Sequence, residues 1–305
     1  MYKEQLLNNI KVVERIASAS KVRRMLRHPL KYIDAVFFRE FVYKRTKKEK
    51  EVACTTFFGT PMQVFLPSST DIYLTGGKSH DSEIRLARFL IQYLEPQDTF
   101  VDVGAHYGYF SLLGAKLVGA KGKVYSFEAA PTTYKILDKN QRLSNNITIL
   151  NRAVSDEEAD LVFYEFPNLY SEYNSLHIEQ FDQEDWFEEY QPKAITIKSI
   201  ILDQFLAKEN TIPKVIKIDV EGAEYKVIKG LQQTLAKYNS IVVLEYLSNE
   251  RGNEAHKNAE AFLQSLGYQA HLITKEGTVQ PIVSIAQYLQ EHQLDSDNIA
   301  FIKKQ

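Results

Sequence analysis

Residues 101–110 read VDVGAHYGYF. A run of β-branched and apolar residues includes an acid, Asp102; two glycines, Gly104 and Gly108, follow, and a helix-like apolar pattern then begins. A strand that passes through a glycine turn into a helix is the opening unit of an α/β sheet. In open sheets of this kind ligands bind at the carboxyl ends of the strands. A nicotinamide dinucleotide calls for G-x-G-x-x-G, with the pyrophosphate on the helix N-terminus. Here the pattern is D-x-G-x-x-x-G, His106 stands where the middle glycine belongs, and Asp102 would repel a phosphate. No G-x-x-x-x-G-K-[ST] occurs either. A cofactor with positive charge and no phosphates fits the turn better. S-adenosylmethionine has an ammonium, a sulfonium and a ribose diol. Asp102 would face the ammonium, directly or through water, and the glycines would let the backbone approach the methionine part. The next strand ends at Glu128, whose carboxylate can accept hydrogen bonds from both ribose hydroxyls.

Outward from this turn the chain alternates. Strands are expected at 99–104, 123–129, 147–153, 215–220 and 241–247, with helices at 108–118, 131–143, 199–208 and 223–236. Near-continuous Val/Ile/Phe strands alternating with helices imply a parallel sheet covered on both faces. A helix near 253–266, a strand at 268–274, a helix near 284–292 and a strand at 298–304 complete the pattern. Upstream, 80–94 has apolar residues at helical spacing with Asp81 or Ser82 as N-cap, and 60–67 reads as a short strand. Two strands, ADLVFYEF and AITIKSI, flank an insert at about 165–193 that breaks the rhythm. Insertions of that length are lids, binding loops or disordered stretches.

The net charge of −2 hides an asymmetry: residues 1–50 carry 14 Lys/Arg against 5 Asp/Glu, whereas residues 153–192 hold 12 acids and no Lys or Arg. The chain therefore divides into a basic helical N-terminal extension, 1–50, and a main domain, 51–305, with an acidic lid-like insert. Cys54 is the single cysteine, so no intrachain disulfide can form, which fits a reducing compartment. No apolar run approaches the roughly 20 residues of a spanning helix, and the N-terminus lacks the apolar core of a signal peptide. A soluble, cytoplasmic protein is expected.

Taken together, FVDVGAHYGYFSLL (100–113), KVYSFEAAPTTYKILDKN (123–140), ITILNRAVSD (147–156) and VIKIDVEGAEYKVIKG (215–230) come in the order of a known family. Over roughly 60–301 the chain resembles the FkbM-type S-adenosylmethionine-dependent methyltransferases. The resemblance implies a class I methyltransferase (Rossmann-like) fold: seven strands, mostly parallel, the last antiparallel, with helices on both faces. It implies S-adenosyl-L-methionine as methyl donor and O-methylation of a hydroxyl. It places Asp102, Gly104, Ala105, His106 and Gly108 in the methionine-side turn, Glu128 on the ribose, Ala153 where a backbone amide meets adenine, and Asp219 facing the methyl group and acceptor. His106 replaces the family's usual Asn, and E-A-A-P (128–131) replaces its frequent E-P-N-P.

Methyl transfer to an alcohol needs in-line alignment and a base for the acceptor's proton. The acid cluster of IDVEGAEYK is the natural place for that base: Asp219 at a strand end, Glu221 supporting it, and Glu224 at a helix N-terminus, where acids are electrostatically favoured anyway. Among the histidines, His177 has a better case than His80 or His106 because it lies in the insert. Asp219, Glu221 and Glu245 would offer oxygens suited to Mg²⁺ or Ca²⁺. Without a tight ligand motif, no metal is expected.

The acceptor class is a saccharide or small metabolite, and the insert's aromatics beside carboxylates suit a sugar ring. The basic arm suggests phosphates, but the acidic body and the absence of N-P-P-[YF] after the fourth strand speak against a nucleic-acid partner. Its aromatics beside Lys/Arg suit a membrane surface, a second copy in a homo-oligomer, or the arm's own domain. Two other classes compete with a methyltransferase: a nicotinamide-dependent oxidoreductase, opposed by the Asp102–His106 turn, and a non-catalytic binding protein on the same fold, opposed by Asp102, Glu128 and Asp219.

Overall fold

The computed structural model describes residues 2–178, 181–182 and 184–304. Helices α1 (Tyr2–Ala17), α2 (Lys21–Arg27) and α3 (Pro29–Phe37), a π-helical segment (Phe38–Tyr43) and α4 (Lys44–Thr46) form the N-terminal region. An antiparallel hairpin follows, β1 (Lys50–Thr55) with β2 (Pro61–Leu66), and then α5 (Thr70–Thr75) and α6 (Asp81–Tyr93). The βα alternation comes next: β3 (Thr99–Val103), α7 (Tyr109–Val118), β4 (Lys123–Phe127), α8 (Pro131–Gln141) and β5 (Ile147–Leu150). Strands β6 (Ala153–Ser155), β7 (Asp160–Glu165) and β8 (Lys193–Ile201) make a small separate sheet. The chain then returns through α9 (Leu202–Lys208), β9 (Val215–Ile218), α10 (Glu224–Lys229), α11 (Gln232–Lys237) and β10 (Ile241–Leu247). Last come α12 (Glu254–Ser265), β11 (Tyr268–Ile273), β12 (Val279–Pro281), α13 (Ile285–His292) and β13 (Ser296–Lys303).

The main sheet has the order β12-β11-β13-β10-β9-β3-β4-β5. From β5 to β10 every neighbouring pair is parallel, and β13 enters antiparallel between β10 and β11. Without β12 this is the expected class I methyltransferase sheet. The addition is an eighth strand of three residues at the edge. The order reverses beside β3, so the β3 and β9 loops open side by side at one end of the sheet. Strands buried on both faces read as apolar runs because neither side sees water, and β3 and β9 are buried at every position. One face packs α6 and α7 with Leu6 and Ile10 of α1; the other packs residues of α9 to α13.

Local details differ from expectation. Asp81 does not cap α6; the cap is His80, and Asp81 in the first turn pairs with Arg85 one turn on. The helix expected at 223–236 is two helices that part at Gly230, where a Cβ would lie 2.3 Å from the Ser155 carbonyl. Among the described residues no helix is long and apolar enough to cross a membrane.

Candidate active site

The β3–α7 turn is built by hydrogen bonds to the strand beside it. The amides of Gly104 and Ala105 both donate to the Phe127 carbonyl (3.0 Å each), that of Gly108 donates to Ala105, and that of His106 donates to Glu128 Oε2 (2.8 Å). These four amides are therefore used, and none is left to cradle a phosphate as a dinucleotide turn requires. Gly104 sits at φ +75°, and a Cβ there would lie 1.8 Å from the Asp219 carbonyl, so only glycine lets the β3 and β9 loops close together. Gly108, at φ +84°, faces Leu137 of α8 rather than the cleft. His106 and Glu221 are non-glycine residues at positive φ, one in each loop, a strain that folds concentrate at functional sites.

These loops floor a cleft of about 320 Å³, within the range of small-molecule sites. Glu128 stands in its wall, buried. Its two oxygens accept the amides of His106 and Ala130 (2.8 and 2.9 Å), which leaves about half of its lone-pair sites for a ligand. Burial lifts its carboxyl to about 7 against the pull of those two amides. Ala153, at the start of β6, lines the same wall.

Across the floor, Asp219, Glu221 and Glu245 bring carboxylate oxygens within 4.8 Å of one another. Among the described residues this is the one group with the geometry to hold a divalent cation. A cation is already beside it. Lys217, buried at 3% exposure in β9, donates to Asp219 Oδ2 (3.1 Å) and to the Gly104 carbonyl (3.0 Å), and lies 3.6 Å from Asp102 Oδ1. Burial pushes Asp219 up, but Lys217, the hydrogen bond with Glu245 and the Lys78 charge together hold the carboxyl below its usual range. Burial and the Asp219 charge push Glu245 well up, and they do the same to Glu221. Asp219 and Glu245 hydrogen-bond each other, and Ser296 Oγ donates to Glu245 (2.8 Å). The arrangement sets one carboxylate that is favoured as the anion beside two whose ionisation is disfavoured, a coupled group suited to proton transfer.

Several expectations are corrected. Asp102 does not stand in the cleft mouth: it is fully buried, accepts from Ser111 Oγ (2.6 Å), and reaches the cleft only through Lys217. An apolar strand places its side chains to either face, and this one points into the packing against α7. Ala105 is buried and off the main cleft lining. His177 is exposed and outside the cleft; Ser171, Glu172, Tyr173, Asn174 and Leu176 line it instead. His106 does line the cleft, with Nε2 3.0 Å from Ser171 Oγ, and burial lowers its pKa to about 4, so it is neutral at ordinary pH. His80 lines the cleft too, paired through Nδ1 with Ser82 Oγ. Glu224 has a structural part: its carboxylate accepts the amides of Val220 and Gly222 and faces His256.

The insert, of which residues 179, 180 and 183 lie outside the described residues, is packed down. Trp186 stacks on Tyr170 with centroids 4.0 Å apart, so the aromatics expected to face a sugar largely face each other. Ser175 Oγ donates to the Glu221 carbonyl, tying the insert to the acid loop.

A family model described as the methyltransferase FkbM domain matches residues 102–270. Hexuronic acid methyltransferase AglP of Haloferax volcanii is 28% identical over 159 residues, 51% of this chain and 59% of that protein. Methyltransferase 1 of Beauveria bassiana is 28% identical over 188 residues, 57% of this chain and 73% of that protein. Among solved structures, methyltransferase FkbM from Methylobacillus flagellatus is 14% identical with a TM-score of 0.41, covering 77% of this chain and 52% of that one.

Proposed function

This chain belongs to the FkbM methyltransferase family, and from that premise we propose that it is an S-adenosyl-L-methionine-dependent O-methyltransferase whose acceptor is a hydroxyl of a saccharide or small metabolite. The observation that carries the reading is one cleft holding two unlike acid sites: Glu128, satisfied by backbone amides with acceptor capacity to spare, and the Asp219–Glu221–Glu245 group beside Lys217. The first suits a diol and the second a cationic centre and an acid–base step. The name of the Haloferax relative favours a sugar acid as acceptor.

When bound, S-adenosyl-L-methionine supplies an electrophilic methyl group on sulfur. The residues that would hold it are Glu128 for the ribose, Gly104 and His106 at the turn, Ala153 beside the base, and Asp219 on the methionine side. The chain's own work is positional and electrostatic. Asp219 accepts the acceptor hydroxyl's proton, and Glu221 and Glu245 share the charge of the group. Lys217 is a positioning residue: it holds Asp219 ionised and fixes the Gly104 carbonyl, and Asp102 acts on the cleft through it. The insert, tied to Glu221 and His106, forms one side of the cleft.

With saturating cofactor and acceptor, Asp219→Ala should lower kcat by about 10²–10⁴-fold while S-adenosylhomocysteine still binds. An unchanged kcat would remove Asp219 from the chemistry. Because Lys217 already supplies positive charge, EDTA should leave the wild-type rate intact. Loss restored by Mg²⁺ would give the three carboxylates to a metal.

A further inference from the structure

The arm's outward face departs from the ordinary surface of a globular protein. Helix α2 buries no residue at all. Across α2, α3 and the π-helical segment, Val22, Leu26, Leu30, Ile33, Phe37 and Phe41 are exposed, from 55% at Phe41 to 83% at Leu30. Their spacing of three or four residues keeps them on the outward side of each helix, and the rings of Phe37 and Phe41 stack at 5.2 Å. The inward side is satisfied separately: Ala35, Phe38 and Tyr43 pack with Leu66 and Tyr190. An amphipathic segment normally turns its apolar side inward; this one has apolar side chains on both. Large apolar side chains exposed at this density mark an interaction site.

Charge identifies the occupant. Among the described residues Lys21, Arg23, Arg24, Arg27 and Lys31 make no ion pair, while the acids of the segment are taken, Asp34 by Lys50 and Glu40 by Lys44. A two-fold contact between copies would set these unpaired basic rims against each other. A nucleic-acid backbone would leave six large apolar side chains in water. A bilayer of anionic lipids satisfies both parts, with apolar side chains at the acyl boundary and cations among the headgroups.

The geometry points to the Val22–Phe41 face as a docking surface for anionic lipid membranes. It lies next to the insert. Tyr43 Oη accepts the Leu169 amide (3.0 Å) and Lys47 pairs with Glu189, so the residues that follow this face hold the insert, part of which lines the cleft. The inference does not depend on the methyl-transfer reading.

The test is flotation of the full chain with vesicles of phosphatidylcholine alone and with one-third phosphatidylglycerol. The chain should float with the anionic vesicles, less so as salt rises. Leu26→Ser/Leu30→Ser/Phe37→Ser should lower binding at least tenfold with an unchanged melting temperature, since all three side chains are exposed. Arg23→Gln and Arg27→Gln should each weaken it about fivefold. A chain that stays in solution with anionic vesicles would overturn the proposal. So would binding undiminished in the triple Ser variant, a dimer that this variant splits, or an RNA affinity lost in the two Arg variants without lipid binding.

Discussion

Lys217 is an ammonium enclosed in a strand whose every residue is buried, and its charge persists because Asp219 and Asp102 outweigh the cost of its burial. Removing one member of such a group leaves the others as uncompensated buried charge. Lys217→Met should therefore destabilise the fold by about 3–5 kcal/mol, read as a lower denaturation midpoint. Asp102→Asn in the same chain should recover part of the loss; no recovery would mean that the two side chains are not coupled. The sequence carried a signal for this residue that the motif reading passed over. A lysine in the middle of VIKIDV looks like a solvent-facing position, but a central parallel strand has no solvent face, so it had to have an internal partner. The same holds for Asp102, since β3 is buried at every position. Glu128 was legible because it follows the last residue of its strand, where side chains emerge at the binding edge. His177 was misplaced for the opposite reason: a loop's sequence does not say which of its residues turn inward.

At the level of elements, the β3–α7 turn and the D-V-E-G loop after β9 work as one unit, joined where Gly104 meets the Asp219 carbonyl. Gly104→Ala should fail on two counts, the positive φ and the 1.8 Å approach to backbone. It should cost clearly more than the roughly 1 kcal/mol of an incompatible glycine replacement and abolish cofactor binding in whatever folded protein remains. Wild-type affinity in Gly104→Ala would show that the two loops need not touch. The parallel strands were legible because burial on both faces leaves short Val/Ile-rich runs bounded by turn residues, too short for buried helices. Hairpin strand β1 was not, since KEVACT alternates weakly and follows a charged stretch. The break at Gly230 was also hidden: it exists because β6 passes close by, a contact that local periodicity does not encode.

For the whole molecule, the N-terminal region divides between two roles. Helix α1 buries Leu6, Ile10, Val13 and Ile16, with Leu6 and Ile10 in the same apolar cluster as α6 and α7, while α2 and the outward side of α3 bury almost nothing. Four buried side chains at about 1.5–3 kcal/mol each set an upper bound on what α1 contributes. Deleting residues 2–17 should lower the melting temperature by more than about 10 °C; an unchanged melting temperature would make α1 an appendage. The charge asymmetry showed that this region differs from the body, but only packing shows that its first helix belongs to the core. The central claim is that the cleft binds S-adenosyl-L-methionine through Glu128, and calorimetric titration tests it most directly, with S-adenosylhomocysteine alongside and NAD⁺ as control. Because burial holds the Glu128 carboxyl near 7 and the ionised form is the better acceptor for a diol, affinity should rise as pH climbs through that value. Micromolar binding of both sulfur compounds, about tenfold tighter near pH 8 than near pH 6, with the pH step absent in Glu128→Gln and no response to NAD⁺, is the predicted result. Binding of NAD⁺, or sulfur-compound affinity indifferent to both pH and Glu128→Gln, would contradict it.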